Sequence, residues 1–421
     1  MDILLQKLIF IDLMEQIKQS IITSKKLLKG QYDVNKSFKT AQSNIKKEVD
    51  IILELQHREI PVIPEIDFQS IVNGSVSSSD IKNLKQRGSV IIRNVFDKMQ
   101  ASEWNDEIGE YITSNNYFTK SIDRRGMDNY FSQLKSGVPQ IFGLYWSRPQ
   151  MLARQSQSMA ITKKFLNSMW DVSSPNGDEF DPNNDYMYAD RIRRREPGDE
   201  TLGLSPHIDG GSFERWTDPA FQKVYRSVFN GDLNSYDPWK AEFRTHTKEY
   251  KSPAVCSMFR TFQGWTALTS QGPSDGTLSL IPIANSMGYL LLRALQDDIS
   301  SDNLCDATPG KPLLISPDYH KDLLSGLVTI QEVNPGDTVW WHPDLTHSVA
   351  DKHTGKDYSN VMFIGASPKC AKNLDYTKRQ TANFLLGKSP PDFAAEDYEV
   401  DFNGRFNSEE LSSLGRAQME L

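Results

Sequence analysis

At 421 residues and 47.9 kDa the chain can bury a large core, and its length suits one big domain or two modest ones. Hydrophobic content of 38% and charged content of 24% are ordinary for a globular protein in water. A net charge of −8 and a pI near 5.5 lack the basic excess of a nucleic-acid binder, so no nucleic-acid partner is expected. No run of about 18 apolar residues occurs, so no membrane span is expected either. The cysteines Cys256, Cys305 and Cys370 are scattered, odd in number and without CxxC spacing. They predict reduced thiols in a cytoplasmic protein.

The N-terminal stretch Ile3 to Ile11 is greasy but is flanked by Asp2, Asp12 and Glu15. It lacks the basic start and cleavage site of a secretory signal. It predicts a docking helix, within the chain or between subunits of a homo-oligomer. Residues 1–60 read as a helical N-terminal segment with two helices, the second striped by Ile45, Val49, Ile52 and Leu55. Pro61-Val62-Ile63-Pro64 then forces an extended segment, and the main domain is placed at 61–390. Ser77 to Asp80 can cap a helix ending at Gly88, followed by a β-branched strand over Ser89–Val95. Helices are expected at about 98–114 and 147–169, and the Pro/Asn/Asp-rich Asp171–Asn184 reads as a loop. Strands follow at Tyr186–Arg194, Pro253–Thr269, Gly276–Ile283, Gly326–Val333, Thr338–His342 and Asn360–Ala366. Helical insertions at about 214–250, 284–298 and 371–386 separate or follow them, and 391–421 reads as a tail with a short helix. Strands enclosed by helices without regular βαβ alternation predict an α+β fold with a β-sandwich or open barrel in a helical jacket.

Chemistry concentrates in two places. His207-Ile208-Asp209 follows a strand and precedes Gly210-Gly211. Side chains two apart in extended backbone share a face, so His207 and Asp209 can converge on one ion. Glycines beside them permit close backbone approach. Far downstream, Trp340-Trp341-His342-Pro343-Asp344-Leu345-Thr346-His347 offers two imidazoles as a third ligand. His347, beyond the aromatic strand, is preferred, and His342, beside two tryptophans, reads as core. Two imidazoles and a carboxylate form the facial triad that suits Fe(II) and leaves positions open for a cosubstrate and O2. A His-x-Asp triplet alone has little weight, since chance supplies roughly half a match in a chain of this composition. A polar surface turn would contain the same residues. His57, His246, His320 and His353 show no partner pattern and read as surface or structural.

Longer motifs add a resemblance. The runs Pro206 to Trp216, Phe259 to Leu268 and Trp340 to His347 resemble the YbiU-like family across about residues 60 to 375. That family is assigned by similarity to the Fe(II)/2-oxoglutarate-dependent dioxygenase superfamily. More distantly, Gly264-Trp265-Thr266-Ala267-Leu268, Gly276 to Pro282 and the distal histidine are similar to the phytanoyl-CoA dioxygenase pattern. The resemblance implies a double-stranded β-helix (jelly-roll) core, iron ligands His207, Asp209 and His347, and 2-oxoglutarate as cosubstrate.

One departure stands out. The superfamily places a cation roughly ten to fourteen residues after the distal histidine, where it pairs with the far carboxylate of 2-oxoglutarate. Here that window reads Asp357, Tyr358, Ser359, Asn360 and Val361. Asn360 is its one amide and a candidate cosubstrate contact. Arg260 is the preferred substitute cation, because a lone Arg amid apolar strand residues needs an anionic partner. Arg191 and Arg193 are alternatives, although an Arg191–Arg195 cluster can also balance Asp190, Glu196 and Glu200 at the surface. Trp216, Trp265, Trp340 and Trp341 offer aromatic walls, with Trp265 assigned to the cosubstrate side by analogy, though strand tryptophans are more often core. Glu214-Arg215 can grip substrate or pair with each other.

The expectation is an oxygenase that hydroxylates a small polar or anionic metabolite. Two other classes remain: a cupin-like metal enzyme that does not use 2-oxoglutarate, and a non-catalytic jelly-roll binding protein.

Overall fold

In the computed structural model of the chain, residues 2–31, 33–121, 140–199, 205–209, 218–249, 256–307 and 312–421 are described. Two helices open it, Asp2–Gln31 and Val34–His57. Asp33 caps the second by accepting from the Lys36 backbone N–H. Its buried residues Ala41, Ile45, Val49 and Ile52 recur every three or four positions, so a single stripe meets the core. That stripe packs on the helices Met287–Arg293 and Pro317–Leu324. The buried Lys25 ammonium ties the first helix down by donating to the Ser300 and Asn303 carbonyls.

The strands are short: β1 Glu65–Asp67, β2 Ser89–Arg93, β3 Ile141–Phe142, β4 Asp181–Asp185, β5 Ile192–Arg195, β6 His207–Ile208, β7 Gln263–Ala267, β8 Leu278–Leu280, β9 Leu313–Leu314, β10 Val328–Thr329, β11 Thr338–Trp341, β12 His347–Val349, β13 Ser359–Phe363 and β14 Pro368–Lys369. They form a seven-stranded sheet ordered β1-β2-β11-β7-β13-β5-β3, a five-stranded sheet ordered β10-β8-β12-β6-β9, and the pair β14-β4. Only β1 and β2 run parallel among these pairings. The fold is α+β.

Register explains which sheet face does what. Ile91, Val339, Trp265 and Phe363 lie in one row across β2, β11, β7 and β13. This face shares a core with Ile208, Leu278 and Leu280 of the five-stranded sheet. One residue along each strand the direction reverses. Ile92, Trp340, Met362 and Ile192 therefore meet Trp104, Ile108 and Leu166 from the helices Lys98–Ser114 and Gln157–Asn167. Gly264 is opposite Trp340, and a Cβ there would lie 2.5 Å from the indole, so only glycine fits. The tail adds Tyr398 and Phe402 to the helix-side core and forms the helix Ser413–Met419.

Several elements depart from the sequence reading. Asp181–Asp185, expected as loop, pairs with β14. A partner strand supplies the ladder that local composition does not. Of the long strand expected at 253–269, only Gln263–Ala267 is strand; 253–255 lie outside the described residues. The helix expected over 147–169 divides into Arg148–Arg154 and Gln157–Asn167, because Ser156 caps a new start by accepting from the Met159 N–H. The insertion expected at 214–250 is two short helices, Pro219–Val224 and Arg226–Phe229, and the 3-10 turn Arg244–His246, with 214–217 and 250 outside the described residues. Cys256, Cys305 and Cys370 are all free, and no described helix is long and apolar enough to cross a membrane.

Candidate metal centre

The site is built on the five-stranded sheet. His207 opens β6 and His347 opens β12, and the two are direct partners in the antiparallel ladder. Their rings therefore stand side by side, with centroids 4.4 Å apart. Each ring is fixed by the carbonyl two residues before it: His207 Nδ1 donates to Ser205 O at 2.6 Å and His347 Nδ1 to Leu345 O at 3.2 Å. With Nδ1 committed to the backbone in both, the two Nε2 atoms are the ring nitrogens that could ligate an ion. Both point at Asp209, at 3.1 Å from Oδ1 and 3.4 Å from Oδ2 respectively. One donor atom from each residue lies within 4.8 Å of the others, so the three could hold a metal ion.

Burial and charge agree with that geometry. Both imidazoles are buried, while the Asp209 side chain keeps 30% of its surface exposed. Burial would raise the Asp209 carboxyl, but the imidazoles of His347 and His207 outweigh it and hold it well below the usual carboxylate range. Burial opposes a charge on His207, yet the hydrogen bond to Asp209 raises its pKa on balance.

A fourth residue, which sequence reasoning missed, completes the arrangement. Gln263 of β7 reaches across from the opposite sheet, and its Nε2 donates to Asp209 Oδ2 at 3.1 Å. Its Oε1 accepts from the Trp341 indole N–H at 2.5 Å. A signal was present: alternation along β7 puts Gln263 on the same inward face as Trp265 and Ala267, where a polar side chain needs a partner.

The cleft beside Asp209 is lined by Phe221, Tyr225, Met258, Arg260, Gln263 and Lys372, among others. Arg260 stands with its guanidinium 5.3 Å from the centre of the Tyr188 ring, and no carboxylate lies at ion-pair distance among the described residues. The other cations of the wall are neutralised: Arg244 by Asp344 at 2.8 Å, and Lys372 by Glu249 at 2.8 Å.

The remaining candidates fall elsewhere. His342 is fully buried and stacked on Trp170; its Nε2 donates to Pro238 O and its Nδ1 accepts from the Asp344 backbone N–H. Neither nitrogen is left for an ion. His347, expected beyond the far end of the tryptophan strand, begins its own strand in the other sheet. Arg191 sits by Asp190 at 3.5 Å and over Phe393. Arg193 points between the sheets, where its Nη2 donates to Ser359 Oγ at 3.0 Å, and burial, with Arg195 adding, pushes its pKa down to about 9. Trp265 is core, and Trp340 faces the helices. Asn360 of β13 is fully buried and faces the helix Lys98–Ser114, where its Nδ2 donates to Asn105 Oδ1. Gly210, Gly211, Glu214, Arg215 and Trp216 lie outside the described residues.

Comparison with known proteins places the chain. The Gig2-like family profile matches residues 12–421. The uncharacterised protein YbiU of Escherichia coli K12 is 40% identical over 407 residues, 96% of each chain. A solved structure from Salmonella typhimurium LT2, provisionally classed as an oxidoreductase, superposes with TM-score 0.91 at 40% identity, covering 96% of this chain and 97% of that one. The GlcNAc-inducible GIG2 protein of Candida albicans superposes with TM-score 0.80 at 28% identity, covering 95% and 88%.

Proposed function

The chain belongs to the Gig2-like family, and on that premise we propose that it is a non-haem Fe(II)- and 2-oxoglutarate-dependent oxygenase of small polar or anionic metabolites. The observation that carries this reading is the triad itself. Two imidazoles with Nδ1 tied to backbone carbonyls and one carboxylate present free donors from one side, next to a cleft. That donor set suits Fe(II) and leaves its other positions to small ligands. The two facing sheets are read here as a double-stranded β-helix, with the triad at its mouth. In such an enzyme the iron and 2-oxoglutarate together activate O2, one oxygen atom entering substrate while the cosubstrate loses CO2 and becomes succinate.

The chain's own residues divide the remaining work. His207, Asp209 and His347 would fix the ion, and Arg260 would receive the far carboxylate of 2-oxoglutarate, since it is the cleft cation without an acidic partner among the described residues. Phe221, Tyr225 and Met258 would exclude water around the reacting carbon.

Anaerobic titration tests the reading. Fe(II) plus 2-oxoglutarate is expected to give a weak visible charge-transfer band, and Arg260→Leu should weaken 2-oxoglutarate binding about 10–100-fold while iron still binds. Stoichiometric iron with no band would overturn it. That result would favour a metal enzyme independent of 2-oxoglutarate, the reading to which the cation-free window Asp357–Val361 points.

A further inference from the structure

We propose that Gln263, locked by Trp341, is a positioning residue that holds Asp209 so that one carboxylate oxygen stays engaged by the protein and the other remains for the ion. Gln263 and Trp341 are direct cross-strand partners on β7 and β11, both nearly fully buried. The indole Nε1 can only donate, so it must face the amide oxygen of Gln263. The NH2 end is thereby forced toward Asp209 Oδ2. A free amide could flip and present oxygen to the carboxylate, two acceptors face to face; Trp341 forbids that state. The carboxylate thus receives a hydrogen bond of fixed direction from the sheet opposite the one that carries both histidines. A carboxylate free to rotate could place both oxygens on the ion and fill a position the chemistry needs open. Groups that orient a metal ligand in this way usually affect affinity about 10–100-fold.

This inference rests on the triad holding a metal and not on the use of 2-oxoglutarate. Co(II) is a suitable probe because its visible bands report coordination number. The wild type, Gln263→Met and Trp341→Phe are titrated with Co(II) alone, without 2-oxoglutarate, and thermal melts of the metal-free proteins verify folding. Gln263→Met keeps the length of the side chain but removes the donor. It should bind Co(II) about 10–100-fold more weakly, with shifted visible bands. Trp341→Phe keeps Gln263 but frees its amide, and should show the same spectral shift with a smaller loss of affinity. A merely structural role would lower the melting temperature and leave the bands in place. Wild-type affinity and spectrum in Trp341→Phe overturn the proposal, whether or not the Gln263 variant folds. Failure of the wild type to bind Co(II) would instead overturn the metal reading of the triad.

Discussion

Two His-x-Asp triplets border the same cleft and do opposite things. In His207-Ile208-Asp209 the backbone leaves groups uncommitted: the imidazole Nε2 meets the Asp209 carboxylate rather than a backbone group, and that carboxylate is open to the cleft. In His342-Pro343-Asp344 everything is closed. The histidine uses both nitrogens on backbone groups, and Asp344 is taken by Arg244 at 2.8 Å and the Tyr225 hydroxyl at 2.6 Å. The tautomers differ accordingly. Nδ1 donates in His207 and His347, whereas Nε2 donates in His342. What distinguishes a cluster that could hold an ion from a structural one is therefore which valences the backbone leaves unfilled, and not the residue types.

The contrast can be broken in three ways. The largest effect is expected from Asp344→Ala, which strands the buried Arg244 charge and should cost about 3–5 kcal/mol in denaturant unfolding, with metal content unchanged. Loss of metal without loss of stability would reverse the assigned roles. Next comes acid. Burial is the main cause that lowers the His342 pKa to about 4, so the folded state resists protonation that the unfolded chain accepts near 6.5. The corresponding stability is present above pH 6.5 and is lost as pH falls toward 4, about 3 kcal/mol at the acid end. Urea midpoints at neutral and acid pH should show this loss, and His342→Gln should reduce it; an unchanged acid slope would refute the buried neutral ring. The smallest effect is ligand linkage. Metal at 100 times its dissociation constant should stabilise the wild type by about 2.7 kcal/mol and Asp209→Ala not at all, as read from thermal melts. Equal shifts in both would place the bound metal elsewhere.

The sequence reading succeeded where local chemistry decides. The helix expected over 371–386 is found as Ala371–Leu386, ended by Gly387 in the left-handed conformation. The helix expected over 98–114 is Lys98–Ser114, started by the Asp97 side chain. It failed where partners decide. Asp181–Asp185 is strand only because Pro368–Lys369 lies beside it, and nothing in Asp-Pro-Asn-Asn-Asp announces that. At the site, His207 and Asp209 were legible from their spacing, but the direct pairing of His207 with His347 spans 140 positions and is set by strand register. Gln263 was missed because its importance depends on Asp209 and Trp341, neither a neighbour in sequence.

On the proposed function, the ladder pairing of His207 with His347 bears on how the ion would be acquired. Because backbone hydrogen bonds preassemble two of the three donors, the site does not require an ion in order to form. Such a rigid set of two nitrogens and an oxygen does not select Fe(II) by affinity, since nickel, copper and zinc bind comparable sites more tightly. Occupancy then follows supply: protein produced in ordinary medium would carry whichever of these competes best there. Under the proposed function such a preparation would be inert toward O2 for reasons of provenance rather than design, and a test of that function should begin with stripping and anaerobic reloading with iron.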